Sequence, residues 1–382
     1  MTQQQNLPES PEKKPLKVII SAGGTGGHIF PAISVANELK RLVPDVQILF
    51  VGALGRMEME KVPAAGYEII GLPVAGFQRR FTFKNVTFVF KLISSIRKAK
   101  RIVREFKPDV VAGFGGYASG PTLRVAAKKN IPTLIQEQNS YAGMTNKLLA
   151  KNALKICVAY DEMDRFFPKE KIIVTGNPVR QDIVSLDNKK EQGLMYFGLQ
   201  ANHKIILVVG GSLGARTINE SITKNLDLLI KNNIQVIWQT GKTYFETAKS
   251  EVIKRNTRLI HVLDFVSRMD FAYAVSDIVI SRAGASTVSE LTLVRKPSIL
   301  VPSPNVAEDH QTKNAMALIK INAAMMVEDK NAHTDLVRAA IDLLNDEFRM
   351  NVYKENVAKM AVKNSANLIA NEIIKLVNNK RD

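Results

Sequence analysis

Cysteine is nearly missing. The one present, Cys157, lies in the apolar run 155–159. A single thiol forms no disulfide framework and supplies no four-ligand zinc site, which suits a reducing compartment. No stretch of about 18 uncharged apolar residues occurs, so nothing reads as a membrane-spanning helix. Residues 1–15 are polar and rich in Gln and Pro, without the apolar centre of a secretory signal, and are expected to be a disordered polar tail. No Gly-Lys-Ser/Thr follows either glycine-rich loop, which excludes a P-loop. Ile29 stands where the third glycine of a dinucleotide fingerprint would follow Gly24 and Gly26. No Asp-x-Asp pair exists, so a carboxylate-held divalent metal on a nucleotide diphosphate has no support. Neither metal nor cofactor is expected. Acid is scarce relative to base: the net charge is +17. That excess calls for an anionic partner, whether nucleic acid, an acidic lipid surface or a phosphorylated substrate.

What is present is enough for two domains. The 382 residues are 46% hydrophobic and 23% charged, ordinary values for globular protein. Strand-like runs fall at 46–51, 67–72, 110–114, 133–136, 156–159 and 172–175, with helical periodicity between most of them. Alternating β and α predicts an α/β fold with parallel sheets. The pattern breaks near Gly176-Asn-Pro-Val-Arg180, a polar run follows at 187–193, and the domain linker is expected between these points. The pattern restarts at 204–216, with further strands at 235–238, 259–263, 277–281, 298–301 and 323–327. The expected division is 16–180 and 181–361. A last helix, about 362–378, carries Ile369, Ile373 and Leu376 and is expected to pack back on the first domain.

The first glycine loop, Gly23-Gly-Thr-Gly-Gly-His28, follows the apolar Val18-Ile-Ile20 and precedes a helix. Its glycines let backbone approach a ligand closely, and the helix start favours an anion there. A tight strand-to-helix turn is the plainer reading. His28 adds a titratable group beside that ligand. A second strand, loop and helix start recurs at Gly210-Gly-Ser-Leu-Gly214, about half the chain later. In the stretch 277–290, Thr287-Val-Ser-Glu290 fits a capping box, with the helix starting near Thr287. Glu290 equally suits a bidentate acceptor for two ribose hydroxyls. Gln311 is placed to reach sugar hydroxyls.

Residues 76–107 hold ten cations against Glu105 alone, interleaved with Phe77, Phe81, Phe83, Phe88 and Phe90. A helix from about 84 docks through Val86, Val89 or Phe90, Ile93, Ile96 and Val103. The rest, with Phe77, Arg79, Arg80, Phe81 and Lys84 foremost, suits an anionic membrane surface. A solvated basic helix is the plainer alternative. Single-stranded nucleic acid is disfavoured because the cluster is local and no RNA-binding motif accompanies it.

Six ordered motifs carry a family resemblance: residues 23–31, 115–121, 137–139 with 142–146, 176–180, 210–216, and 281–290 with His310-Gln311. Together they resemble the MurG family, the peptidoglycan N-acetylglucosaminyltransferases of glycosyltransferase family 28, over about residues 17–375. The resemblance implies a GT-B fold, two Rossmann-like domains facing a cleft. It implies UDP-N-acetylglucosamine as donor and an undecaprenyl-pyrophosphoryl muramyl peptide, lipid I, as acceptor. The implied place is the cytoplasmic face of the plasma membrane, with cell-wall assembly proteins as further partners. Implied donor contacts are Thr25, Gly26, Gly27, Asn139, Arg180, Ser212, Val266, Ala285, Ser286, Thr287, Val288, Ser289, Glu290 and Gln311. Gly23, Gly24, Gly115, Gly116 and Tyr117 would cradle the acceptor's pyrophosphate. The catalytic base would be His28, with Glu137 as competitor. Gln136 departs from the family, which often carries His there. A UDP-N-acetylglucosamine 2-epimerase-like enzyme is the alternative activity.

Overall fold

The computed structural model describes residues 14–74, 84–211 and 213–381. The first sheet has seven strands: β1 (Lys17–Ser21), β2 (Gln47–Ala53), β3 (Glu68–Leu72), β4 (Val110–Gly113), β5 (Thr133–Glu137), β6 (Lys155–Val158) and β7 (Ile172–Val174). Their order is β3-β2-β1-β4-β5-β6-β7. The second has six: β8 (Ile205–Val209), β9 (Gln235–Gln239), β10 (Ile260–Leu263), β11 (Ile278–Ser281), β12 (Ser298–Leu300) and β13 (Met325–Met326), in order β10-β9-β8-β11-β12-β13. The strand pairings are parallel, for example Ile19 beside Leu49 and Val111, and Val208 beside Trp238 and Ile280. Helices on both faces explain why the central strands are apolar at successive positions: Val18, Ile19 and Ile20 are all fully buried. Strand order reverses between β1 and β4, and again between β8 and β11. Ligands of such sheets bind at the carboxyl ends of those strands.

The helices of the first domain are α1 (Gly26–Leu42), α2 (Glu58–Ala64), α3 (Lys84–Phe106), α4 (Ser119–Lys128) and α5 (Met144–Ala150). α1 buries Ile29, Ala32, Val35, Ala36 and Leu39 at helical spacing. The final helix, Ser365–Arg381, sends Ala366, Ile369, Ala370, Ile373, Leu376 and Val377 into the same core cluster. It closes the first domain from the far end of the chain.

After the stretch expected to hold the linker, α6 (Lys189–Phe197) begins inside the polar run 187–193. That helix packs on the helix Met269–Val275. Gly193 permits the approach: a Cβ there would lie 2.6 Å from Val275 and 2.9 Å from the Phe271 carbonyl. Lys189 pairs with Asp270 at 3.2 Å across the contact. One local expectation is corrected in part: of the apolar stripe expected on α3, Val103 is buried and Ile96 packs on the core, whereas Phe90 and Ile93 are 70% and 41% exposed. Ser95, Ala99 and Ile102 complete the buried face, and the Val86 and Val89 side chains lie outside the described residues. Phe77, Arg79, Arg80 and Phe81, and the Lys84 side chain, lie outside the described residues.

Candidate active site in the interdomain cleft

Strand carboxyl ends from both sheets border one cavity of about 650 Å³. The first domain contributes Gly23, Gly24, Thr25, Gly27 and His28, then Gly115, Gly116 and Tyr117, then Glu137 and Asn139. The second contributes Gly284, Ala285, His310, Gln311 and Asn314. The two glycine loops of the first domain lock together. Gly116 has φ +84°, and a Cβ on it would come within 2.2 Å of the Gly23 carbonyl oxygen. Only glycine satisfies both constraints.

His28 is the third residue of α1. Its Nδ1 lies 2.9 Å from the Gly23 carbonyl oxygen and 3.3 Å from Thr25 Oγ1. A carbonyl accepts only, so Nδ1 carries the proton and donates to it. In the neutral ring Nε2 is then the lone-pair atom. It faces Gly115, where a Cβ would stand 2.9 Å away.

Beneath the loop lies a group that sequence reasoning missed. Glu58, at the start of α2, is completely buried. Its carboxylate accepts from Gly24 N–H at 3.1 and 3.2 Å and from Ala53 N–H at 2.9 Å. Gly23 and Gly52 make room for it, since a Cβ at either would collide with its side chain at 2.3 or 2.6 Å. The Gly24 N–H is therefore already occupied and does not serve an anion in the cleft. That narrows the expected cradle to the remainder of the loop. No local sequence signal reveals Glu58.

Glu137 is equally committed. Oε1 accepts from the Asn139 N–H at 3.1 Å and the Asn139 amide at 3.2 Å. Oε2 accepts from Gly143 N–H at 3.0 Å and the Asn146 amide at 2.8 Å. Both oxygens hold the loop 139–146 rather than a free proton acceptor. Gln136 belongs to a buried amide network: it donates to Asn177 at 2.8 Å and accepts from Gln138. Asn177 then donates to Ser289 Oγ at 2.9 Å in the other domain. Asn314 makes a second bridge, accepting from Ser140 N–H at 3.0 Å and donating to Asn139 at 3.2 Å.

The helix after β11 spans Ala285–Val294 with Gly284 as N-cap. It starts two residues before the expected Thr287, so Glu290 sits in its second turn and there is no capping box. Tyr273 donates to Glu290 Oε2 at 2.9 Å, and Arg180 Nε lies 3.5 Å from Oε1. Burial raises the Glu290 pKa, opposed by the Arg180 charge and the Tyr273 hydrogen bond. The first-turn N–H groups of Ala285 to Thr287 have no helical partners, while Val288 N–H already donates to Gly284. Val266 and Val288 have their side chains in the second-domain core. The Val266 N–H donates to Gln239 at 2.9 Å, and the Ser289 hydroxyl joins the domain bridge. Ser212 lies outside the described residues. Gly26, Arg180 and residues 286–290 are not part of the cavity lining. Gln311 is, with its Oε1 accepting from Ser303 N–H at 2.8 Å. His310 brings a second imidazole to the cleft. Burial lowers its pKa, the charges of Glu308 and Glu137 oppose that shift, and the nearby His28 reinforces it.

Two parallel-sheet domains, with glycine loops and a helix start that has no side-chain cap around a shared cleft, define a GT-B-type glycosyltransferase scaffold. The sequence model of the glycosyltransferase family 28 N-terminal domain matches residues 18–158, and that of its C-terminal domain matches 205–373. A Parabacteroides distasonis protein is 56% identical over 364 residues, covering 95% of this chain and 99% of its own. Its name is UDP-N-acetylglucosamine--N-acetylmuramyl-(pentapeptide) pyrophosphoryl-undecaprenol N-acetylglucosamine transferase. The crystal structure of Acinetobacter baumannii MurG aligns with TM-score 0.77 and 29% identity, over 94% of this chain and 100% of that one. A UDP-N-acetylglucosamine 2-epimerase structure, at TM-score 0.62 and 14% identity over 97% and 98% of the two chains, shares the fold alone. The chain belongs to glycosyltransferase family 28 and, within it, to the MurG proteins.

Proposed function

We propose that the protein moves N-acetylglucosamine from UDP-N-acetylglucosamine to the C4 hydroxyl of N-acetylmuramyl-(pentapeptide)-pyrophosphoryl-undecaprenol, making lipid II from lipid I in peptidoglycan synthesis. Identity of 56% across nearly the whole chain supports this over the epimerase reading, which has only the fold in its favour. The donor lies against the second domain. Glu290 takes the ribose hydroxyls once Arg180 turns from it to the nucleotide. The N–H groups of Ala285 to Thr287 meet the diphosphate, and Gln311 meets the sugar. The acceptor's pyrophosphate rests on the loops 25–27 and 115–117.

The hydrogen bond from His28 Nδ1 to the Gly23 carbonyl carries the mechanism. It leaves Nε2 free to take the C4 hydroxyl proton while that oxygen forms its bond to C1 of the donor sugar. The C1–O bond to the β-phosphate breaks on the opposite face, UDP leaves with the electron pair, and the anomeric centre inverts. Leaving-group charge falls on a helix start and Arg180. Glu137 acts by positioning Asn139. The basic stretch 76–107 holds the enzyme at the cytoplasmic face of the membrane, where the acceptor resides and where cell-wall assembly proteins would meet it.

The test is UDP release with and without lipid I. Acceptor-dependent release is expected, and sugar isomerisation without acceptor would overturn the transferase reading. His28→Ala should lower kcat by about 10²- to 10⁴-fold with little change in donor KM. Turnover near wild type at saturating substrates would sink the assignment of the base.

A further inference from the structure

A groove of about 600 Å³ runs between α3, α4 and α5 on the first domain. Its walls are mainly apolar: Leu92, Ile96, Tyr117 and Leu148 line it, with Arg124 and Lys128 supplying charge. Leu148 is 73% exposed and Tyr117 52%, although both carry large apolar surface. Phe90 and Ile93, which α3 fails to bury, stand on the same helix as Leu92. Exposed apolar residues gathered in one region mark a binding surface. A flat bilayer surface would cover a convex patch, whereas a concave groove of this size fits an inserted chain.

The groove is continuous with the cleft. Val74, Tyr117 and Thr145 border both cavities. The junction at Tyr117 is where the acceptor's pyrophosphate has been placed. In that acceptor the order is sugar, pyrophosphate, polyprenyl chain. With the sugar at His28 and the pyrophosphate on the glycine loops, the next group to emerge is the first isoprene units. At the junction they meet the apolar walls, and Arg124 and Lys128, with no ion pair among the described residues, complement the adjoining anion.

We propose that this groove is a binding site for the phosphate-proximal isoprene units of the polyprenyl acceptor, leading the chain from the membrane into the cleft. The inference rests on the transferase reading for the identity of its ligand. It concerns residues that the chemical step does not touch.

The test uses the full-length protein and two surface variants, Leu148→Asn and Leu92→Gln. Binding of a fluorescent polyprenyl phosphate, read by anisotropy below its micelle concentration, should weaken about tenfold in either variant. KM for the undecaprenyl acceptor should rise by a similar factor. KM for UDP-N-acetylglucosamine and for an acceptor analogue whose pyrophosphate carries no isoprene unit should stay unchanged, as should binding of the Leu148→Asn protein to anionic vesicles. Unaltered probe affinity would overturn the groove assignment. Loss of vesicle binding with the probe affinity intact would also overturn it, in favour of membrane docking alone. A dimer dissociated by the variants would make the groove an interface between copies and overturn it as well. Wild-type protein that binds the probe but releases no UDP on adding lipid I would sink the transferase reading and leave the prenyl site standing.

Discussion

Single side chains explain much of how the cleft is set. His28 is held in one tautomer by its own loop, and Glu58 fixes that loop from below. Neither role depends on a charged partner. Lys296 is a contrasting residue, half-buried on the second domain away from the cleft, its ammonium donating to the Ser276 carbonyl. Burial, resisted by Asp277 and reinforced by Lys354 and Lys190, pulls its pKa from 10.5 to about 8. The unfolded chain keeps this proton to higher pH, so stability should rise as pH climbs from 8 to 10.5. Below that window the folded protein carries the full penalty. Lys296→Met should therefore raise stability at pH 7 by about 2 kcal/mol and flatten the alkaline rise, as read from urea midpoints across pH. The sequence showed His28 clearly, because a strand, a glycine loop and a helix place it without reference to anything distant. It could not show Glu58, whose partner Gly24 lies 34 residues away and is reached only through the packing of α2 on the sheet.

Helices and strands differ in how far their sequences disclosed them. Every strand-like run became a strand, because parallel strands buried on both faces need continuous apolar runs. Helix faces were harder. The stripe expected on α3 held only toward its carboxyl end, where Ile96 packs on the core and Val103 is buried, while Phe90 and Ile93 stay exposed. The start of the helix Ala285–Val294 was misplaced because Gly284 caps it by backbone geometry, without the side chain that a capping motif supplies. Two helices meet where the Tyr273 hydroxyl donates to Glu290, the residue proposed to take the ribose hydroxyls. Tyr273→Phe should raise KM for UDP-N-acetylglucosamine about five- to tenfold through loss of one hydrogen bond to a carboxylate. Its kcat should stay within about twofold in steady-state assays. An equal fall in kcat would place Tyr273 in the chemical step instead.

At the scale of the molecule, two features join the halves. One is the polar bridge through Asn177 and Asn314, built from amides that read as unremarkable in sequence. The other is the final helix, expected from its apolar spacing to pack back on the first domain. Ile373 is fully buried in the first-domain core. Ile373→Ala should destabilise by about 2–5 kcal/mol. Hydrogen exchange should then speed up in β1 and α1 more than in β8 and β11.

The return of that helix has a consequence for how the protein is made. The ribosome completes β1 through β7 early, yet the segment that covers the apolar side of α1 is translated only after the entire second domain. Throughout that interval the nascent first domain presents an unsealed hydrophobic flank. The first domain is therefore sealed only after the second has been synthesised, and a chain stalled before that helix emerges would remain dependent on chaperones.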